Sequence, residues 1–165
     1  MSGKPLPQRV DDFFRASKRL TGHPGWREGT RTGERRCQFG IIIDKTVSPH
    51  ELVVKAYPFS SDGKFNLVLI WPPRIFGLDY EPQGGHTNPL GSLNGPIVEG
   101  AHAHHWVDNR HRATRAYLPE EMKEARSLSP QIRRLDQAFR WFCEEANIMF
   151  QEEQVPEYPP KELLL

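Results

Sequence analysis

Apolar residues near the start of the chain recur every three to four positions, which is the period of an amphipathic helix. The series is Leu6, Val10, Phe13, Phe14 and Leu20. It predicts a helix over residues 6–20, ended by the Gly/Pro-containing segment 21–25. The polar, glycine-interrupted stretch 26–36 that follows predicts a loop or a hairpin.

The middle of the chain contains short runs of β-branched and aromatic residues, a composition typical of strands. Four such runs fall at 38–43, 52–57, 65–71 and 75–80. Asp62-Gly63, between the second and third runs, is a hairpin turn signal. Because the connections between successive runs are short, we expect the strands to pair as an antiparallel meander.

The segment 81–98 is rich in glycine, proline and asparagine, so it predicts an irregular loop. Long ordered loops are uncommon in compact domains and are often functional. Residues 102–107 then predict another strand, with residues 113–118 as its hairpin partner.

The last third of the chain returns to a helical period. Pro119-Glu120-Glu121 predicts a short helix, and Ser129-Pro130 predicts the start of a longer one. An edge strand is predicted at 147–151. The buried stripe of the longer helix is expected to contain Ile132, Leu135, Phe139, Phe142, Cys143 and Ala146.

This order of elements predicts the α+β class: an antiparallel meander sheet of about six strands, with an N-terminal helix and C-terminal helices packed on one face. We expect a single domain over residues 1–151, followed by an extended Glu/Pro-rich tail at 152–165. A chain of 165 residues with 37% hydrophobic content is long enough for one core.

The net charge of +1 hides an asymmetry between the two ends of the chain. Residues 1–45 carry ten Lys/Arg against five Asp/Glu, whereas residues 119–165 carry six against ten. The basic end could face an anionic partner, although charge runs more often form solvated faces. No apolar run approaches the roughly 18 residues of a membrane helix, so we expect a cytoplasmic protein without membrane contact.

Histidines are concentrated in one part of the sequence. Imidazole titrates near neutral pH and is the commonest transition-metal ligand, so this density predicts a functional site. Five of the seven histidines lie there, namely His86, His102, His104, His105 and His111.

Strand alternation sorts these histidines into groups. His102, His104 and Trp106 are expected on one face of the predicted strand, and His105 on the other. The small Ala103 suits close packing of that other face against a helix. His86 is the natural third member of the His102/His104 group, because Gly84-Gly85 beside it permits close backbone approach.

Three chemistries fit this group of His86, His102 and His104. The three residues could hold zinc or another divalent ion with a position left open for water. They could instead act without metal as general acid and base in phosphodiester cleavage. They could also be structural, donating to loop carbonyls and packing against Trp106.

Charged residues near the histidines provide candidates for binding a phosphate and for orienting a ligand histidine. A guanidinium suits phosphate oxygens because it presents a planar fork of donors. Asp79 and Asp108 are the nearby acids that could orient a ligand histidine. The candidate phosphate-binding residues are Arg74, Arg110, Arg112 and Arg115.

Several short motifs occur in a fixed order along the chain: His86-Thr87-Asn88-Pro89, His102-Ala103-His104, Ala116-Tyr117-Leu118-Pro119, and Phe139 followed by Phe142-Cys143. In this succession residues 37–148 resemble a family of small proteins encoded in prophages and other mobile elements. The resemblance implies a context in which genes of this size commonly encode toxins, antitoxins, anti-defence factors or regulators. It carries no catalytic assignment.

Two functions from different classes follow from these observations. The first is a small His-dependent hydrolase, an RNA-directed phosphodiesterase of toxin type. The second is a non-enzymatic module that binds a protein partner, such as an antitoxin or anti-defence inhibitor, through the 81–98 loop and the acidic helical end. Neither a Gly-x-Ser-x-Gly elbow nor a phosphate-binding glycine loop occurs in the sequence.

Overall fold

The fold was analysed in a computed structural model that describes residues 7–60, 62–71, 74–113, 122–128 and 131–161. It belongs to the α+β class. Within these ranges the helices are α1 (Pro7–Arg15), α2 (Trp106–Asn109) and α3 (Leu135–Glu145). The strands are β1 (Lys18–Thr21), β2 (Arg27–Glu28), β3 (Arg35–Ile43), β4 (Thr46–Ala56), β5 (Phe65–Ile70), β6 (Arg74–Tyr80), β7 (Gly85–Thr87), β8 (Ile97–Glu99), β9 (His102–His105), β10 (Arg126–Ser127) and β11 (Ile148–Met149).

Nine of these strands form one sheet, so the prediction of about six strands is too low. Its order is β10-β9-β6-β5-β4-β3-β1-β11, with β2 paired to β3 beside this path. The strands β3 to β6 form the predicted antiparallel meander. The pairing of β1 with β11 is parallel. Strands β7 and β8 form a separate antiparallel ribbon.

Alternation along the central strands places one face of the sheet in the core. In β3, Cys37, Phe39 and Ile41 are fully buried, while the residues between them are partly exposed. Phe142 of α3 stacks on Phe76 of β6, with the ring centroids 4.0 Å apart. Phe14, just inside the end of α1, packs edge-on against the same Phe76 ring at 6.0 Å. These aromatic contacts attach α1 and α3 to the sheet.

The first helix ends at Arg15, five residues before the predicted end. The Lys18 side chain turns back and donates to the carbonyls of Phe13 and Ala16, the latter at 2.7 Å. These bonds satisfy carbonyls that a helix end leaves without a partner. The backbone from Lys18 onward is extended instead and pairs with β3 and β11, which a periodicity argument does not register.

Two further segments differ from the sequence-based expectations. The 81–98 segment is not wholly irregular, because it contributes β7 and the first residues of β8. The predicted strand 102–107 ends at His105, where α2 begins. Strand β9 pairs with β6 and β10. Apart from Ala113, the predicted partner 113–118 lies outside the described residues, as do the predicted helix start at 119–121 and residues 129–130.

The last part of the chain lies along the sheet edge and the neighbouring loops. Strand β11 is the terminal strand of the sheet, as the sequence predicts for 147–151. After it, Trp26 Nε1 donates to the carbonyl of Glu157 at 2.9 Å, and the Tyr158 hydroxyl donates to that of Lys64 at 2.9 Å. None of the described helices has the length and apolar character needed to cross a membrane.

Candidate metal centre

The candidate site lies on the face of the sheet opposite Phe76, where β6 and β9 pair. Their register sets Asp79 opposite His102 and Gly77 opposite His104. Side chains of cross-strand partners share a face, so the two imidazoles and the Asp79 carboxylate emerge together. Trp106, which was expected beside them, belongs instead to α2, and its Nε1 donates to Asp11 at 2.7 Å.

The β7–β8 ribbon supplies the third histidine. His86, in the middle of β7, lies with its ring centroid 4.6 Å from that of His104 and 5.8 Å from that of His102. One ring nitrogen from each of the three residues lies within 4.8 Å of the other two. The structure therefore brings together the three histidines that the sequence nominates.

Each of these rings uses one nitrogen to contact a backbone carbonyl. His102 Nδ1 lies 2.9 Å from the Gly100 oxygen, His104 Nδ1 lies 2.7 Å from that of Met122, and His86 Nε2 lies 2.7 Å from that of Lys123. Because a carbonyl oxygen only accepts, each contacting nitrogen carries the proton. The lone pairs left for a ligand are therefore on His86 Nδ1, His102 Nε2 and His104 Nε2.

The Asp79 carboxylate faces two of these lone-pair nitrogens. Its Oδ2 lies 3.4 Å from His104 Nε2 and 3.8 Å from His102 Nε2. An anionic oxygen and a neutral imidazole lone pair repel each other, so this arrangement needs a proton or a metal ion between them. Zinc accepts carboxylate oxygens as well as imidazole nitrogens. Among the described residues, however, the ligand atoms that all lie within 4.8 Å of one another belong to the three histidines, and Asp79 contacts two of these from the side.

Burial and charge hold His104 in the form that a metal requires. Desolvation, with a smaller contribution from the nearby Arg74 cation, lowers the pKa of His104 to about 4. The ring is therefore neutral at pH 7, and a neutral imidazole is the metal-binding species.

Arg74 is the first residue of β6, and its guanidinium lies over Gly77 and beside Asp79. A Cβ at Gly77 would overlap the Arg74 guanidinium, so the glycine is what makes room for it. Arg74 Nη2 lies 3.5 Å from Asp79 Oδ2. Both Nε and Nη2 are buried and lack a hydrogen-bond partner among the described residues. The Arg74 side chain as a whole is 37% exposed, so the guanidinium can be reached from solvent, and donors without a hydrogen-bond partner suit an anionic oxygen.

A cleft of about 610 Å³ opens beside these groups. His86 and His104 lie in its wall, whereas His102, which is 4% exposed, and Asp79 are not among the wall residues. The remaining wall residues come from β6, the end of β7 and the loop after it, and the segment before β10: Arg74, Thr87, Asn88, Pro89, Met122 and Lys123.

The other sequence candidates have partners of their own. Arg110 makes a bidentate contact with Asp11, at 2.9 Å from Nε and 2.7 Å from Nη2. Arg112 and His111 both contact Glu124, at 3.8 Å and 3.2 Å.

Two more of the named residues are accounted for separately. Asp108 pairs with Arg126 at 3.1 Å. Arg115 lies outside the described residues. Of the three predicted phosphate-binding arginines that the structure describes, Arg74 lies in the cleft wall.

Sequence reasoning did not identify the residues that anchor the rings. The Met122 and Lys123 carbonyls act through the backbone, which leaves no residue-type signal. Asn88 stands in the sequence only as part of the His86-Thr87-Asn88-Pro89 motif, which gives it no role at the site.

Comparison with known proteins adds no assignment: no family model matches the chain, and no curated protein or solved structure does either.

Proposed function

We propose that His86, His102 and His104 bind a divalent metal ion such as zinc and that the protein is a metal-dependent hydrolase. The observation that carries this proposal is the set of three imidazoles, each with one nitrogen against a backbone carbonyl, with one nitrogen from each ring within 4.8 Å of the other two. Donation of the second ring N–H to a carbonyl is a common feature of metal-binding histidines.

The dimensions fit an ion after a modest contraction. Zinc–nitrogen bonds of about 2.0–2.1 Å place the ligands of a tetrahedral site about 3.3 Å apart. The histidine nitrogens lie within 4.8 Å of one another, so binding would draw each pair closer by up to about 1.5 Å. Asp79, whose Oδ2 lies 3.4 Å from His104 Nε2, would be placed to accept a proton from water held at the open position.

The proposed substrate is a phosphodiester, with RNA as the first polymer to test. A bound divalent ion supplies a hydroxide nucleophile near neutral pH. Arg74 offers its unused Nε and Nη2 donors to a non-bridging phosphate oxygen, and Lys123 adds a second positive charge to the cleft wall. Both cations oppose the negative charge that accumulates as the phosphate is attacked.

The same residues support cleavage without a metal as an alternative route. A proton between Asp79 and His104 Nε2 would satisfy the same contact, and general acid–base chemistry needs only two suitably placed imidazoles. Metal content distinguishes the two routes.

The first test measures metal in the purified protein after exposure to zinc, manganese and cobalt. We expect about one equivalent in the wild type and in His111→Ala, whose imidazole is mostly exposed and contacts Glu124. We expect His102→Ala to lose the ion and to lose cleavage of a labelled RNA oligonucleotide. A wild type that takes up none of the three ions, yet cleaves RNA in the presence of a chelator, would select the metal-free route.

A protein-binding function is the second candidate, and one surface favours it. Leu90 and Leu93 are fully exposed, and Ile97 is 62% exposed, all between β7 and the end of β8. Apolar side chains that are exposed along one short segment provide a surface that another protein could cover. Capture of one stoichiometric partner that survives His102→Ala and is lost in the double variant Leu90→Ser/Leu93→Ser would support this function instead.

A further inference from the structure

Residues 122–125, which we term the bridging segment, are held mainly by side chains rather than by a strand ladder. The Met122 carbonyl accepts from His104, and the Lys123 carbonyl accepts from His86. The next two residues, Glu124 and Ala125, use both their N–H and their carbonyl groups to contact asparagine side chains. Strand pairing with β9 begins only at Arg126.

Asn109 makes the first of these asparagine contacts and is fully buried. Its Oδ1 accepts from the Glu124 N–H at 2.8 Å, and its Nδ2 donates back to the Glu124 carbonyl at 3.0 Å. The same Nδ2 donates to the carbonyl of His105 at 2.9 Å. Asn109 thus joins the end of β9 directly to the bridging segment.

Asn88 makes the same pair of contacts one residue further along. Its Oδ1 accepts from the Ala125 N–H at 2.7 Å, and its Nδ2 donates to the Ala125 carbonyl at 2.8 Å. Nδ2 also donates to the Gly95 carbonyl at 2.9 Å, which closes the loop after β7. Asn88 is 6% exposed, so these bonds form away from water.

A primary amide presents a donor and an acceptor with the geometry of a peptide group. Each asparagine side chain therefore makes the two hydrogen bonds that the backbone of a residue in a neighbouring strand would make. The His86-x-Asn88 spacing also acquires a physical reason, because side chains two residues apart in extended backbone point to the same side. Both residues reach the bridging segment, His86 at Lys123 and Asn88 at Ala125.

We infer that Asn88 and Asn109 are positioning residues of the metal centre. By fixing the bridging segment they hold the two carbonyls that set the tautomers and orientations of His86 and His104. The part of this inference that concerns metal affinity rests on the proposed function. The part that concerns the histidine tautomers is independent of it.

The test replaces each asparagine by aspartate, which keeps the shape but removes the Nδ2 donors and sets a carboxylate against carbonyl oxygens. Loss of a group that bonds directly to a ligating histidine typically costs 10–100-fold in metal affinity. The asparagines act one contact further out, through the backbone of the bridging segment, so we expect zinc and cobalt to bind Asn88→Asp and Asn109→Asp about 10-fold more weakly, the lower end of that range. The control is Asn94→Asp, on the same loop as Asn88, whose affinity should change by less than about twofold.

A second readout uses nitrogen NMR of the imidazoles in the metal-free protein. The wild type should show His104 protonated at Nδ1 and His86 at Nε2, and both asparagine variants should show averaged tautomers. If the wild type binds no metal but the variants lose the fixed tautomers, the positioning inference stands and the proposed function fails. Unchanged tautomers together with unchanged affinity in folded variants would overturn the inference.

Amide hydrogen exchange in the wild type covers the case in which both variants fail to fold. The Glu124 and Ala125 N–H groups should be protected, because each donates to a buried asparagine oxygen. Exchange of both at the rate of an unstructured peptide would overturn the inference.

Discussion

His104 and His105 are neighbours on β9, yet the two faces of the strand give the same side chain opposite uses. His104 faces the cleft, with Nε2 directed at Asp79. His105 faces the core, with its ring 4.4 Å from that of Phe76 and 5.1 Å from that of Phe14. Its Nδ1 accepts from the Val107 N–H at 3.0 Å and so caps the start of α2.

Charge does not distinguish these two histidines. Burial lowers the pKa of His104 to about 4 and that of His105 to about 3, so both rings are neutral at pH 7. The difference lies in the lone pair. His105 uses its lone pair to accept a backbone N–H, whereas His104 donates from Nδ1 and keeps its Nε2 lone pair for a ligand. What surrounds an imidazole, rather than its burial alone, decides whether it can bind a metal.

The largest expected effect separates the two faces directly. His104→Ala removes a proposed ligand. Loss of an outer partner already costs about 10–100-fold in metal affinity, so loss of the ligand itself should weaken metal binding at least about 100-fold. His105→Ala should leave metal stoichiometry unchanged and lower the free energy of unfolding by about 2–4 kcal/mol, because it opens a cavity between aromatic rings. Metal titration and urea denaturation of both variants measure these effects, and indistinguishable profiles would refute the comparison.

The next effect concerns substrate binding on the cleft face. Arg74→Ala should lower kcat/KM for RNA cleavage about 100-fold, roughly 3 kcal/mol of transition-state stabilisation, with metal content unchanged. Arg74→Lys should recover only part of the loss, since an ammonium cannot form the same two-pronged contact. Arg110→Ala is the matched control, because its guanidinium pairs with Asp11. Equal losses in Arg74→Ala and Arg110→Ala would argue against a specific role for Arg74.

A third histidine extends the comparison to pH. His50 is 5% exposed, stacks on Trp71 at 3.8 Å and contacts the edge of Phe13 at 4.6 Å. Burial, with a smaller contribution from the Lys18 ammonium, lowers the pKa of His50 to about 4 from an ordinary value of 6.5.

As the pH falls, the unfolded chain therefore protonates at His50 before the folded protein does. The stability associated with a neutral His50 is complete above pH 6.5 and is lost as the pH falls towards 4, by about 1–3 kcal/mol. Urea denaturation at pH 7 and pH 4.5 should show a smaller drop in stability for His50→Gln than for the wild type. The same drop in both proteins would contradict the assignment.

The smallest expected effect tests the outer contact of His105. Its Nε2 lies 3.8 Å from Glu145 Oε1, which is also 3.6 Å from Arg126, and the Glu145 side chain is 37% exposed. Ion pairs this open to solvent contribute little. Glu145→Gln should change the free energy of unfolding by less than about 0.5–1 kcal/mol and leave metal affinity unchanged. A loss of more than about 2 kcal/mol would mean that packing is not what holds His105.

The sequence predicted the shared face of His102 and His104 because strand alternation is a local property with a period of two. The predicted strand 102–107 misplaced Trp106 because it continued past His105. In the structure, His105 Nδ1 accepts from the Val107 N–H and caps α2, a contact that hydropathy does not indicate. Sequence reasoning associated Arg110 with the histidines through proximity in sequence. In the structure, however, α2 separates Arg110 from β9, and the Arg110 side chain forms an ion pair with Asp11 of α1.

Contacts between distant segments account for the remaining differences. The parallel pairing of β1 with β11 joins a strand near the start of the described chain to one near its end. The carbonyls that orient His86 and His104 come from residues 37 and 18 positions further along. Periodicity within a window cannot report such partners. The class of fold, the three histidines and the option that their rings contact loop carbonyls were therefore accessible from sequence, whereas the particular carbonyls were not.

The order of strands in the large sheet has a consequence for the kinetics of folding. Strands β3 to β6 pair with their neighbours in sequence. Strand β9 also pairs with β6, but the chain that forms the separate β7–β8 ribbon lies between them in sequence. Local pairings generally form early, and longer loops close at a greater entropic cost. The meander should therefore be present in the folding transition state, with β9 and its histidines added afterwards. An ion bound by those histidines should slow unfolding markedly while leaving the folding rate almost unchanged, which stopped-flow measurements with and without zinc would reveal.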